Sequence, residues 1–387
     1  MQLPPAPFNA RTCCRVIASI WIVAWAVACG TTPEPITDPT PISQTTPAEE
    51  PSKPEPMPDP VDPAVVKASN IEEFAVDGLK VILKPTPGPV VVAELLIQGG
   101  ITNIEADKDG IEEMALRVAS SGGTTAVPRD AFTSKLNSMG SEIGYESGRD
   151  FSLLTMRSIR PYWGATWELF GQVLLSPAFD QKQIDLQRTR LIDEIKGIRD
   201  NPDDYVGLLA RELHFKGHPY ARRMSGTVES VQKLTRDQLM DHYKALMVRE
   251  RLTLVVVGDL KRSEVETAIK AQLGSLPKGE YSFPGIASVP EQPADVSFQE
   301  RKELPTNYLI GLFEAPAPTH PDYFPMLVAT SLLSDRLFEE VRTKRNLTYA
   351  VAAGLSKRRR NYGYLYVTAV DPNTTVKVMT DEIARMS

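Results

Sequence analysis

The chain has 387 residues, 42% of them apolar and 24% charged, with a formal net charge of -6. A length beyond one domain of roughly 100 to 200 residues, with a composition near the globular average, excludes a disulfide mini-protein, a lone motif and a wholly disordered chain. Residues 31–63 hold seven acids against one lysine, so the remainder is nearly neutral; a body without a basic face gives DNA or RNA no counterion-driven attraction.

In chain order, Arg11 and Arg15 precede an apolar run at 16–27 broken only by Ser19. That run is too short for the roughly 20 residues that cross a bilayer, but it suits the apolar core of a secretory signal. It ends in Ala26-Val27-Ala28-Cys29-Gly30, which resembles a bacterial lipobox. The resemblance predicts a signal peptide at 1–28, lipidation of Cys29, and a location at the cell envelope, facing the periplasm and sorted to the outer membrane. A plain secretory signal or a membrane-tethered N-terminus is the alternative. Processing would also remove Cys13 and Cys14, leaving no cysteine for a disulfide or a thiolate metal site in the body. Residues 29–64, rich in Pro, Glu, Asp and Thr, read as an extended spacer.

Patterned sequence begins near Ile71. Two apolar stretches flank Asp77-Gly78, which predicts a tight hairpin because both turn positions need positive φ. A strand is expected at 90–97, ending before Gly99-Gly100. After Gly110 the period changes: Ile111, Met114, Ala115 and Val118 share one helical face. Further helices are expected at 130–139, 180–199 and 204–215, with strands at 151–159 and 252–257. Four prolines between 274 and 293 suggest a linker, 277–295, between a first domain at 65–276 and a second at 296–387. The second is expected to hold strands at 308–313, 349–356 and 362–370 and helices at 321–343 and 375–386. Between its last two strands stands Lys357-Arg358-Arg359-Arg360, read as a solvated hairpin tip. This mixed order argues an α+β layer fold.

Three separated stretches together resemble the insulinase/pitrilysin family of inverted-zincin metallopeptidases. The first is 110–124, from Gly110 through Glu113, Leu116 and Arg117 to Gly123-Thr124. The second combines Gln187-Arg188, Glu194, Asp200-Asn201-Pro202, His218-Pro219-Tyr220, Gly226 and Val257-Gly258-Asp259. The third runs from Arg342 to Tyr349. The resemblance implies two related domains, each a mainly antiparallel sheet with helices packed on one face, the second incomplete.

It also implies a degenerate zinc site. The family's first zinc histidine falls on Glu113, its catalytic glutamate on Leu116 and its second histidine on Arg117. Zinc there needs two imidazoles at i, i+4 and a carboxylate to activate water. Arg117 instead carries a permanent cation, and Leu116 cannot take a proton. Only the third ligand position survives, at Glu194. Glu113 and Arg117 are expected to form an ion pair on an exposed helix, worth a few tenths of a kcal/mol, with Glu194 a helix-surface or ion-paired carboxylate. A residual oxygen site from Glu112, Glu113 and Glu194 is the competing arrangement, opposed by Arg117.

The only histidines are His214, His218, His242 and His320. His214 and His218 have i, i+4 spacing, but Gly217 and Pro219 break the helix that would align them. No zinc or other cofactor is predicted. By the resemblance, Arg342 and Tyr349 match a pair that grips the substrate backbone and developing oxyanion. Their alternative reading is a surface cation and a half-buried strand residue. Gly144 stands where active members place an asparagine.

The resulting expectation is a catalytically silent lipoprotein that partners a zinc-bearing homologous subunit and holds peptide or unfolded protein substrate. An active zinc metalloendopeptidase with an unconventional site, and a peptide-binding scaffold without an enzymatic partner, are the alternatives.

Overall fold

The structure is a computed structural model that describes residues 70–283, 285 and 297–386, all within one compact unit. The predicted signal at 1–28, Cys29 and the spacer at 29–64 lie outside the described residues; the linker 277–295 lies within them only to residue 283 and at 285.

The predicted hairpin forms from β1 (Glu72–Val76) and β2 (Leu79–Pro85), with Asp77 at φ 49 and Gly78 at φ 88. Both turn residues thus take the left-handed region that a two-residue turn with right-twisting strands demands. Next come β3 (Val90–Gln98), α1 (Ile111–Ser121), α2 (Arg129–Ser138), β4 (Glu142–Glu146) and β5 (Phe151–Ile159). Four helices follow: α3 (Trp163–Leu175), α4 (Gln181–Gly197), α5 (Pro202–His214) and the short α6 (Val228–Lys233). Then come α7 (Arg236–Leu246), β6 (Leu252–Gly258) and α8 (Arg262–Leu273).

Six strands pair in the order β1-β2-β6-β3-β5-β4, antiparallel except for the parallel pair β2 and β6. Alternation sets its faces. Val91, Ala93, Leu95 and Ile97 of β3 and Leu252, Leu254 and Val256 of β6 are buried, while the residues between them are half-buried. The first set meets the helix layer in one continuous core with Met114, Leu116, Phe170, Leu191 and Leu239. Period-two patterning with one face covered is the signature of an antiparallel sheet under helices.

A second sheet contains β7 (Asn307–Glu314), β8 (Val351–Leu355) and β9 (Tyr362–Ala369) in the order β7-β9-β8, all antiparallel. Between β7 and β8 lies α9 (Tyr323–Leu337), which continues as a π-helical turn, Phe338–Thr343. The last helix is α10 (Pro372–Ala384). The connectivity strand, helix, hairpin, with the later hairpin strand in the middle, repeats that of β3, β5 and β4. Its core is smaller and built from Leu333, Leu337, Val341, Ala353, Val367 and Met379.

The seam between the sheets is made by α5. Tyr366 of β9 donates to Asp203 at its start, and Phe215, just past its end, packs with Ile101, Tyr220 and Tyr362. One expectation is modified. The 357–360 tip is solvated only in part: Lys357 and Arg359 are exposed, but the Arg359 N–H donates to Asp150 (3.0 Å) and the Arg360 side chain pairs with Glu314. The start of the proline-rich stretch is also pinned, since the Pro277 carbonyl accepts from the Arg249 N–H and the Tyr281 ring lies under Arg251. Among the described residues no helix is long and apolar enough to cross a membrane.

Candidate functional site

Helix α1 begins at Gly110, whose φ of 91 turns the chain into the helix and whose Cα side faces Ser225 and Gly226 backbone with no room for a Cβ. Glu112 and Glu113 follow in the first turn, where the helix dipole favours anions. Nearly every residue of α1 is buried, because the helix is packed by α7, α4 and β4 together. The expectation of an exposed helix is therefore wrong: an apolar stripe fixes which face meets the sheet but does not reveal that further elements cover the opposite side.

Burial changes what the ion pair is. The Arg117 guanidinium donates to Glu113 from Nη2 (3.1 Å) and Nε (3.2 Å), and Nε also reaches the Tyr145 hydroxyl (2.7 Å). Its Nη1 and Nη2 grip both oxygens of Glu194, at 2.8 and 2.7 Å. The Tyr145 hydroxyl and the Ser147 hydroxyl each donate to Glu113 in turn. Glu194 reaches the group from α4, which is held in register by the Asp180 cap accepting from the Lys182 and Gln183 N–H groups. Tyr145 comes from β4, and Ser147 from the loop after it. One planar cation thus joins two carboxylates whose places, by resemblance, belong to zinc ligands.

The electrostatics agree with a fixed cation. Burial pulls the Arg117 pKa down, but the hydrogen bond to Glu194 and the neighbouring negative charge outweigh it, so the group stands above the usual arginine value. Burial, then the Glu113 charge, pushes the Tyr145 phenol above its ordinary value, keeping it a neutral donor. Leu116 is fully buried in the main core and offers no base.

These residues do not fit a divalent metal. Both carboxylates already serve one guanidinium, and an added cation would stand against a permanent positive charge. The alternative oxygen site of Glu112, Glu113 and Glu194 is not assembled: Glu112, fully buried, turns away to accept from Ser152 and to meet His242 Nε2 at 3.2 Å. Among the described residues no group of three His, Cys, Asp or Glu is placed to hold an ion. His214 closes α5 while His218 caps the next turn by accepting from the Tyr220 N–H, so no shared helical face aligns them.

Arg342 lies in the π-helical turn, exposed, with its guanidinium 4.8 Å from the Phe338 ring centroid. Tyr349 precedes β8 and is 86% exposed, so it is not the half-buried strand residue of the alternative reading. Gly144, in β4, would place a Cβ 3.2 Å from the Thr155 hydroxyl. Sequence reasoning missed Tyr145, Ser147 and the Glu112–Ser152–His242 group. The pieces are 32 to 130 positions apart, and only the pairing of β4 with β5 and the packing of α7 on α1 bring them together.

Residues 80–228 match the family described as Insulinase (Peptidase family M16), and residues 233–387 match the Peptidase M16 inactive domain. An uncharacterized zinc protease of Mycobacterium leprae is 29% identical over 195 residues, 49% of this chain and 44% of the relative. Subunit 1 of the human mitochondrial cytochrome b-c1 complex is 22% identical over 66% of this chain and 54% of the relative. A Helicobacter pylori protein named a non-peptidase homolog is 21% identical over 68% of this chain and 61% of its own. The crystal structure of a peptidase M16 inactive domain from Pseudomonas fluorescens superposes with a TM-score of 0.71 at 22% identity, covering 82% of this chain and 79% of that one. The chain spans about half the length of the curated relatives it matches.

Proposed function

The chain belongs to the insulinase family as a homologue of its inactive type, and from that premise we propose that it works as the silent partner of a zinc-bearing homologous subunit, holding peptide substrate for it. The observation that carries this reading is the Arg117 guanidinium bonded to both Glu113 and Glu194. A guanidinium already saturated by Glu113, Glu194 and Tyr145, beside Leu116 in place of a base, cannot bind and ionise a water as a metal would, so in this reading hydrolysis is powered from another chain. The pairing is supported by the relative whose name makes it a subunit of a larger complex. The substrate role is supported by Arg342 and Tyr349, whose exposure leaves a cation and a phenol available to a peptide backbone. By the Cys29 sequence, the complex would be tethered at the bacterial envelope through lipid and face the periplasm.

The test is reconstitution. The full chain is mixed with the zinc-bearing homologue of the same organism, and cleavage of unfolded polypeptide is followed. The proposal expects activity to rise above that of the zinc subunit alone, and Arg342→Ala and Tyr349→Phe to remove most of the increase. Cleavage unaffected by the added chain contradicts it.

A further inference from the structure

We propose that the π-helical turn Phe338–Thr343 sorts charge: it gives the neighbouring acids to Lys344 and Arg345 and so keeps the Arg342 guanidinium free, laid on Phe338, to meet a peptide carbonyl. This role deepens the reading of Arg342 as a substrate contact and rests on it; the pairing of the acids does not. Phe338, Lys344 and Arg345 are positioning residues in this scheme and act on the peptide only through Arg342.

The sorting follows from the winding. In an α-helix residues three and four apart are neighbours, so Glu339 would stand beside Arg342 and compensate its charge. Here the helix closes its last turn with a bond between residues five apart, the Lys344 N–H donating to the Glu339 carbonyl at 2.9 Å. That wider turn moves the facing positions one residue on. Glu339 accordingly stands 3.8 Å from Lys344, while Glu340 takes Lys344 at 2.6 Å and Arg345 at 2.5 Å. Hydrogen bonds from Lys344 and then Arg345 hold the Glu340 pKa down to about 2. Arg342 makes no ion pair among the described residues; its guanidinium lies 4.8 Å from the Phe338 ring centroid instead, and both side chains are exposed.

The turn is firmly seated. Leu337 and Val341 on its inner side are fully buried in the core of the second sheet. Asn346, at φ 50, ends the winding: its N–H donates to the Arg342 carbonyl and that of Leu347 to the Val341 carbonyl, both at 3.0 Å. The buried Thr348 bonds Thr368 of β9 at 3.1 Å, so the exposed Tyr349 projects from a fixed base. A π-turn gives up regular helical hydrogen bonding, and such turns gather at functional sites. What this one yields is a cation that two nearby acids do not quench. A ring beneath a guanidinium attracts it without removing its charge and leaves its N–H edge open to an acceptor.

The test reads Arg342 directly. The full chain is treated with phenylglyoxal, an arginine-selective dicarbonyl, and modification of Arg342 is followed by peptide mass spectrometry. Lys344→Gln with Arg345→Gln should release the acids onto Arg342 and slow its modification by about 2- to 5-fold, the range of a surface ion pair. Adding Glu339→Gln and Glu340→Gln should restore the rate. Lys244→Gln with Lys377→Gln, which remove the same charge elsewhere, should leave it unchanged. An unchanged rate in the first variant, or a slowing that the added amides do not reverse, overturns the proposal. Binding of a fluorescent unfolded peptide to the same variants should follow the same order, with Phe338→Leu weakening it and Phe338→Tyr retaining it. Peptide binding indifferent to Arg342→Ala would contradict the substrate role of Arg342, while the modification rates still decide the sorting.

Discussion

At Arg117 the outcome turns on how many anions one cation serves. A surface i, i+4 pair contributes roughly 0.2 to 0.5 kcal/mol. Here the same two residues are largely buried, with side chains 12% and 15% exposed, and the guanidinium also holds Glu194. Removing one partner of a buried pair costs about 3 to 5 kcal/mol, because the other charge is left without compensation. Arg117→Leu should fall near the lower end, since Tyr145 and Ser147 still donate to Glu113. Glu194→Gln should cost only about 1 kcal/mol or less, because that side chain is 56% exposed and water can replace its partner. Denaturant melts of the two variants check the ranking; equal losses would mean the network is not organised around Arg117. A second test is constructive. Glu113→His with Arg117→His returns two imidazoles at i, i+4 and frees Glu194, so the double variant should take up stoichiometric zinc by elemental analysis. Failure to bind while folded would mean that the retained backbone does not preserve ligand geometry.

At the scale of elements, legibility in the sequence depended on how local the signal was. The β1–β2 turn is readable because Asp77-Gly78 names its own backbone; β5 lies where expected although Leu153-Leu154 breaks the apolar alternation and Ser152 and Ser158 are on its buried face. Helix α3 was not: its buried residues, including Trp163, Thr166, Trp167, Leu169 and Phe170, leave no polar stripe to show a period. Helices α6, α7 and α8 went unpredicted, although Thr235 and Gln238 form a capping box ahead of α7 that was there to be seen. The candidate site divides the same way. Glu113, Leu116, Arg117 and Glu194 were found because the resemblance aligns them; Tyr145 and Ser147 belong to the site only through strand pairing. Gly110 offers a test at this scale. Alanine there must adopt positive φ and place its Cβ 2.9 Å from the Ser225 carbonyl oxygen, so Gly110→Ala should destabilise by about 1 to 3 kcal/mol. A melt within experimental error of wild type would show that the α1 start can relax.

For the whole molecule, the two sheets repeat one connectivity. The first supplies the large core and the helix on which the family places its metal. The second supplies the exposed Arg342 and Tyr349. What unites these features is the claim that an internal guanidinium has taken the place of an ion, and it is tested most directly on the purified full chain. Zinc is offered in excess, the chain is dialysed, and metal content and thermal unfolding are measured with and without chelator. The account predicts no stoichiometric zinc and an unchanged Tm on chelation; one zinc per chain, lost together with several degrees of Tm when chelator is added, would contradict it.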